Sequence, residues 1–285
     1  MGEFSEIADP RRLDLTIPIF PCLRDHRFQG KAVFPAVEAM QVLAASTRKV
    51  FPDLDLRSIT DARFEKFLFI PPEAETISAI NELRQLPDSR FEASLITRTR
   101  APKANITRTK THVTLCFGKQ DGTDIPTESP SPVFRTDEFE IPADRLYREL
   151  VPFGPAYQNI HERVRLSESG AVAEVRAPSH SISNGPLGSP FPLDAAFHAA
   201  CAWSQRYAGV VAFPVGLSHR QVLIPTRPGD FYKAVVKPVH PDPTLLVFDI
   251  ALFDAAEALC EWAAGVRMRD VSGGRLRPPE WVVQA

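Results

Sequence analysis

Apolar and polar positions along the chain fall into the same pattern twice. Residues 13–20 (LDLTIPIF) read as a strand, with Pro18 marking an edge or bulge. Residues 35–50 (PAVEAMQVLAASTRKV) carry Val37, Met40, Ala44 and Thr47 at helical spacing, behind a proline that a first helical turn tolerates. Strand-like runs follow at 64–70, 76–83, 91–99 and 110–117, and the polar, proline-rich stretch 118–132 reads as a linker. The plan then repeats. A strand-like run at 172–177 precedes an alanine-rich helix over 192–206 (PLDAAFHAACAWSQR), again opened by proline. Further strand-like runs lie at 221–224, 230–239, 244–253 and 257–266, and 273–285 reads as a surface extension. One helix with a strand meander, twice over, predicts an α+β fold of two tandem antiparallel sheets, each wrapping one central helix. The expected units are residues 1–130 and 131–285.

Composition narrows this picture. The 27 prolines, roughly twice the usual share, exclude a helical bundle or coiled coil. Lys+Arg 33 against Asp+Glu 35 gives a net charge of -2, without the concentrated positive field that nucleic acid or a membrane surface would require. No apolar run approaches the length of a membrane span, and Glu3, Glu6 and Asp9 stand where a secretory leader would carry basic residues. Cys22, Cys116, Cys201 and Cys260 form no C-x-x-C pair, which predicts reduced, buried thiols in a cytoplasmic protein. Met1-Gly2-Glu3-Phe4 is compatible with a cloning remnant on a segment of a longer chain.

The informative segment is Asp25-His26-Arg27-Phe28-Gln29-Gly30-Lys31-Ala32-Val33-Phe34-Pro35. It puts a histidine on a turn between strand and helix, with Gly30 free to adopt unusual backbone geometry and Pro35 opening the helix. An H-x3-G-x4-P string is rare by chance in this composition. Asp194 and His198 lie one turn apart on the second helix, so they share a face. No phosphate loop, dinucleotide fingerprint, H-E-x-x-H or G-x-S-x-G is present, and Gly-Leu-Ser-His-Arg around His219 is no nucleophile elbow.

On these residues the chain resembles the dehydratase domains of polyketide synthases, which share a double-hotdog fold with related fatty acid synthase domains. The HxxxGxxxxP signature matches His26, Gly30 and Pro35, and Asp-x-x-x-Gln/His matches Asp194 to His198. GYxYGPxF aligns with Leu150–Tyr157, keeping Gly154 and Pro155 but placing Phe153 where the second tyrosine stands and Tyr157 at the last position. An LPFSW-like segment matches loosely at Phe213–Leu217.

The resemblance implies loss of water from a 3-hydroxyacyl thioester carried on the phosphopantetheine of an acyl carrier protein. The product is a 2-enoyl thioester, in polyketide or polyunsaturated fatty acid type biosynthesis. His26 would be the base and Asp194 the acid. His198, Gly30, Pro35, Phe153, Gly154, Pro155, Tyr157 and Leu217 would orient or bind substrate. A carboxylic acid that donates at neutral pH needs a raised pKa; the apolar neighbours of Asp194 favour this, while its place in a first helical turn opposes it. Desolvation is expected to win.

The reaction changes no oxidation state, so neither metal nor redox cofactor is expected. Neighbouring synthase domains and a second copy of the chain are the other expected partners. Arg98, Arg100, Lys103, Arg108 and Lys110 read as a solvated strand face or, more pointedly, as a dock for an acidic carrier. Competing readings are a double-bond isomerase, a cyclase, and a catalytically silent module. Pro35 and Asp194 favour dehydration over isomerisation; Phe153 leaves the cyclase open. Structurally, Asp194 would be a plain first-turn carboxylate, His198 a packed core histidine and Phe153-Gly154-Pro155 a turn. His112, His161, His180 and His240 read as structural.

Overall fold

The helical period after Pro35 becomes the first central helix, α1 (Ala36–Arg48), in the computed structural model of the chain, which describes residues 9–100, 107–118, 138–179 and 185–284. Val37, Met40, Leu43 and Ala44 are buried along it. Around it run β1 (Arg11–Pro18), the short hairpin β2 (Arg27–Phe28) and β3 (Lys31–Ala32), then β4 (Ser58–Phe64), β5 (Thr76–Gln85), β6 (Phe91–Arg100) and β7 (Thr107–Phe117). The second half begins with β8 (Phe139–Pro142) and α2 (Ala143–Arg145), which continues into a π-helical turn, Leu146–Leu150. Strands β9 (Ile160–Ser167) and β10 (Gly170–Arg176) lead to the second central helix, α3 (Phe191–Tyr207). After it come β11 (Phe213–Val222), β12 (Phe231–Asp242), β13 (Leu245–Phe253), β14 (Leu259–Arg269) and the terminal α4 (Glu280–Gln284).

Twelve of these strands form one sheet in the order β1-β5-β6-β7-β4-β11-β14-β13-β12-β10-β9-β8. Every pairing in it is antiparallel. The five strands from the first half pack around α1 and the seven from the second around α3. The halves join through β4 and β11, paired from Gly216↔Arg63 to Gln221↔Ser58. Near that seam Arg220 is buried against Glu261, with Nε donating to Oε1 at 2.7 Å and Nη2 to Oε2 at 3.1 Å. Paired so, the two charges satisfy each other; removing either alone would strand its partner in the core.

α3 is buried without interruption from Phe191 to Gln205, so it is a core helix with no solvent face, and Asp194 and His198 are carried inside with it. Among the described residues no helix is long and apolar enough to cross a membrane.

Several expectations need correction. The strand expected at 64–70 lies earlier, as β4; residues beyond Phe64 leave the sheet and wall a cavity. Strands β8 and β9, and most of β11, were not expected: Pro142 closes β8, Pro214 and Gly216 interrupt β11, and in β9 the exposed run His161, Glu162 and Arg163 breaks the alternation. The tail is no mere surface extension: Val282 is fully buried and its carbonyl accepts from Arg206 Nη1 on α3 at 2.9 Å. The linker beyond Gly118, the 130/131 boundary, Lys103 and His180 lie outside the described residues.

Candidate active site

His26 is delivered by a 3₁₀ turn, Pro21–Asp25. Gln29 and Gly30 then take positive φ, 48° and 77°, and close the two-residue hairpin between β2 and β3. The hairpin returns the chain so that Val33 N–H donates to the His26 carbonyl at 2.9 Å. In exchange, His26 Nδ1 lies 3.0 Å from the Val33 carbonyl. A carbonyl only accepts, so the ring proton sits on Nδ1 and Nε2 offers a lone pair. Pro35, at the N-cap of α1, ends this excursion.

The lone pair faces α3. His26 Nε2 is 3.9 Å from Asp194 Oδ1, and His198 Nε2 is 3.0 Å from Asp194 Oδ2. The His198 N–H is not aligned on that oxygen, so both atoms retain hydrogen-bonding capacity for a third group. The other ring nitrogen, Nδ1, is 3.3 Å from the hydroxyl of Tyr147, which in turn accepts the Ile160 N–H at 2.9 Å.

Asp25 fastens the two halves together at this point. Its carbonyl accepts Gly154 N–H at 2.8 Å and its Oδ2 accepts Ala156 N–H at 3.0 Å. The loop so held stacks Phe153 on His26, with centroids 4.4 Å apart, and sets the same ring 4.9 Å from His198. Tyr157 meets His26 edge-on at 5.2 Å, its hydroxyl buried without a partner among the described residues. A Cβ on Gly154 would sit 2.4 Å from Asp25 Cγ, and Asp25 is tied at both ends and cannot yield. Gly154→Ala should therefore lower stability by about 2 kcal/mol, read from thermal unfolding, and reduce turnover by pulling Phe153 off His26. Unchanged stability would refute the clamp.

Burial lowers the His26 pKa below the usual histidine value, against the upward pull of Asp194. For Asp194, burial acts upward, but His198 and His26 outweigh it and hold the carboxyl below the ordinary value. The expectation that desolvation would win is thus corrected. Apolar neighbours were legible in the sequence; two imidazoles converging on one carboxylate were only half so.

Glu38, on the first turn of α1, is only 2 % exposed, and its Oε1 has no partner among the described residues. Burial, with a smaller push from Asp194, raises its pKa from 4.5 to about 8. Below pH 4.5 folded and unfolded chains both hold this proton; between 4.5 and about 8 only the folded chain does, so stability falls as pH rises through that window. Glu38→Gln should raise stability near neutral pH by roughly 3 kcal/mol and flatten this slope, as measured by urea unfolding across the window. An unchanged slope would contradict the assignment.

The site opens on a cavity of about 820 Å³. His26, Phe153, Asp194 and His198 line it, with Phe197, Cys201 and Met268 further along and Phe28, Phe67 and Phe213 on another wall. Of the other expected residues, Gly30 lies in the hairpin turn, Pro155 starts a short 3₁₀ turn, and Leu217 is buried in β11 outside the lining, where Phe213, Pro214 and Val215 take its place. His112 lines the cavity but has structural bonds, to Thr97 Oγ1 at 2.8 Å and to the Lys66 carbonyl at 3.0 Å. His161 pairs with Glu174 on the surface. Sequence reasoning missed Tyr147 and Glu38 entirely and saw Asp25 only as a neighbour of His26. Glu38 had one visible signal, an acid among Val37, Ala39 and Met40 in the first turns of α1.

His26 and Asp194 come from opposite halves to line one cavity, between two central helices wrapped by a continuous antiparallel sheet; this is the double-hotdog fold, and solved structures of that fold superpose on this chain. The dehydratase domain of a mycocerosic acid synthase-like polyketide synthase does so with a TM-score of 0.71 and 17% identity, over 90% of both chains. The bifunctional dehydratase-cyclase domain of ambruticin biosynthesis gives 0.69 and 17%, over 90% of this chain and 91% of the other. The family model for the polyketide synthase dehydratase N-terminal domain matches residues 127–278, and the chain belongs to that family. It is also 23% identical over 183 residues to the hybrid PKS-NRPS synthetase lepA of Aspergillus flavus, covering 62% of this chain but only 4% of that protein's length.

Proposed function

We propose that this dehydratase domain removes water from a 3-hydroxyacyl thioester tethered to an acyl carrier protein, giving a 2-enoyl thioester in polyketide or polyunsaturated fatty acid type biosynthesis. The observation that carries this reading is the His26 tautomer: Nδ1–H is spent on the Val33 carbonyl, and the bare Nε2 points toward Asp194. A neutral imidazole with a free lone pair in an apolar cavity is a competent base for a proton alpha to a thioester carbonyl.

His26 Nε2 takes the α-proton, leaving an enolate whose oxygen needs a donor. The first N–H groups of α1 have no acceptor within the helix, and Ala36 lines the cavity, so they can serve. The new imidazolium then faces Asp194, which passes the proton on to the departing hydroxyl. The C–O bond breaks and water leaves. One proton circulates from carbon to oxygen, so Asp194 need not rest in its acid form, consistent with its lowered pKa. His198 Nε2 and Asp194 Oδ2 hold the hydroxyl between them. Phe153 excludes water from both imidazoles.

The circuit requires neither a metal nor a redox cofactor. The carrier docks, on this reading, along the exposed Arg98, Arg108 and Lys110, the last of which lines the cavity. Neighbouring synthase domains and a second copy of the chain complete the proposed partners, and a cytoplasmic setting follows from them.

Incubation with 3-hydroxyacyl thioesters of several chain lengths, followed by mass spectrometry, tests the proposal: each accepted substrate loses one water. Loss from none of them would favour a silent module. A moved double bond at constant mass would mean an isomerase. Phe153, which lacks the tyrosine hydroxyl, favours one second reading, cyclisation after dehydration, and a cyclic product would reveal it.

A further inference from the structure

We propose that Tyr147 is a positioning residue that fixes the tautomer of His198, so that an N–H rather than a lone pair meets Asp194 and the substrate hydroxyl. Tyr147 sits in the π-helical turn Leu146–Leu150, is buried, and meets the His198 ring edge-on with centroids 5.7 Å apart. A turn of π-helix at this point re-aims side chains relative to a regular helix, a common device at functional sites.

The phenol oxygen already receives the Ile160 N–H at 2.9 Å. That contact occupies an acceptor position and leaves the phenol's own hydrogen to donate. Its available neighbour is His198 Nδ1, at 3.3 Å. A neutral imidazole whose Nδ1 accepts must carry its proton on Nε2. Nε2 is the atom 3.0 Å from Asp194 Oδ2, where two facing lone pairs would repel and an N–H does not. The Ile160 N–H thus donates to Tyr147 and the Tyr147 hydroxyl to His198 Nδ1, and the Nε2 N–H so fixed stands beside Asp194 Oδ2 with its hydrogen-bonding capacity left for the substrate hydroxyl.

His26 and His198 consequently present opposite faces to the cavity. His26 offers a lone pair because the Val33 carbonyl holds its Nδ1 proton, and His198 offers a donor because the Tyr147 hydroxyl fills its Nδ1 lone pair. Two chemically identical rings are given different tasks by the second nitrogen of each. The hydroxyl lost at Phe153 is not restored at that position; the ordering falls to a residue six positions upstream.

The tautomer is independent of whether the dehydratase reading holds, so the two can fail separately. ¹⁵N-labelled histidine in the intact protein reports it directly, because protonated and bare ring nitrogens have well-separated shifts; His198→Gln assigns the signals. Near neutral pH the wild-type protein should show His198 protonated on Nε2 and bare on Nδ1. A ring protonated on Nδ1, or on both nitrogens, would overturn the proposal without any variant. In Tyr147→Phe the Nδ1 donor is gone, and His198 should relax toward a mixture of tautomers while His26 is unchanged. With a 3-hydroxyacyl thioester, kcat should drop about tenfold with KM little altered, as expected when an interaction made mainly in the transition state is weakened. An unaltered His198 spectrum in a folded Tyr147→Phe protein would overturn it as well.

Discussion

In His26→Ala, kcat/KM for a 3-hydroxyacyl thioester falls about 10³-fold or more, the upper part of the range for loss of a positioned general base. The size follows from the site's economy of groups. Among the described residues, His26 is the imidazole whose bare nitrogen faces the reacting carbon on this account, since its Nδ1 is held by Val33. His198 cannot replace it, because its Nε2 lies against Asp194 and its Nδ1 against Tyr147. The pH profile carries a second signature. The base works only when neutral, so activity is lost as pH falls through the His26 pKa. Burial places that value below the ordinary histidine range, and the acid limb of kcat/KM should lie below pH 6.5. A limb at or above 6.5, or substantial activity in His26→Ala, would remove His26 from the base role.

Asp194→Asn gives the second large effect, a fall in kcat of about 10²–10³-fold with a smaller change in KM. Asparagine keeps the shape and one acceptor but can neither carry the circulating proton nor stabilise the imidazolium formed at His26, 3.9 Å away. The substitution also removes the upward pull of Asp194 on His26, so the acid limb should move further down in pH, not up. This sign separates a proton relay from mere loss of packing. A variant that lost activity with its limb unmoved would leave Asp194 a structural carboxylate, the plainer reading its place in a first helical turn first offered.

Legibility in the sequence followed the range of the interaction. α1 and α3 were readable because helical spacing is local, and His26, Asp194 and His198 because short spacings place them on a turn and on one helix face. The clamp from Asp25 to Gly154 and Ala156 spans 131 positions at its longer contact, and nothing in either segment announces the other. Tyr147 is separated from His198 by 51 positions and sits in a π-helical turn that no periodicity template describes. Most of β11 was missed because Pro214 and Gly216 interrupt its alternation, and its Arg220 is buried on Glu261, 41 positions away. The phenylalanines of 64–70 resembled a strand and instead supply cavity wall, because apolar alternation does not distinguish a sheet face from a ligand surface. The direction of the Asp194 pKa was misjudged on the same ground, since it depends on how close two rings come.

The central claim is that this cavity adds and removes water across the bond next to a thioester, using His26 and Asp194 together. Its most direct test runs the reaction backwards, with the 2-enoyl thioester supplied in ¹⁸O-labelled water and the product followed by mass spectrometry. The account predicts a 3-hydroxyacyl product carrying the heavy oxygen with the wild-type protein, and almost none with His26→Ala or Asp194→Asn. An enoyl thioester recovered with unchanged mass from the wild-type protein across a range of chain lengths, or label incorporated equally well by both variants, would contradict it.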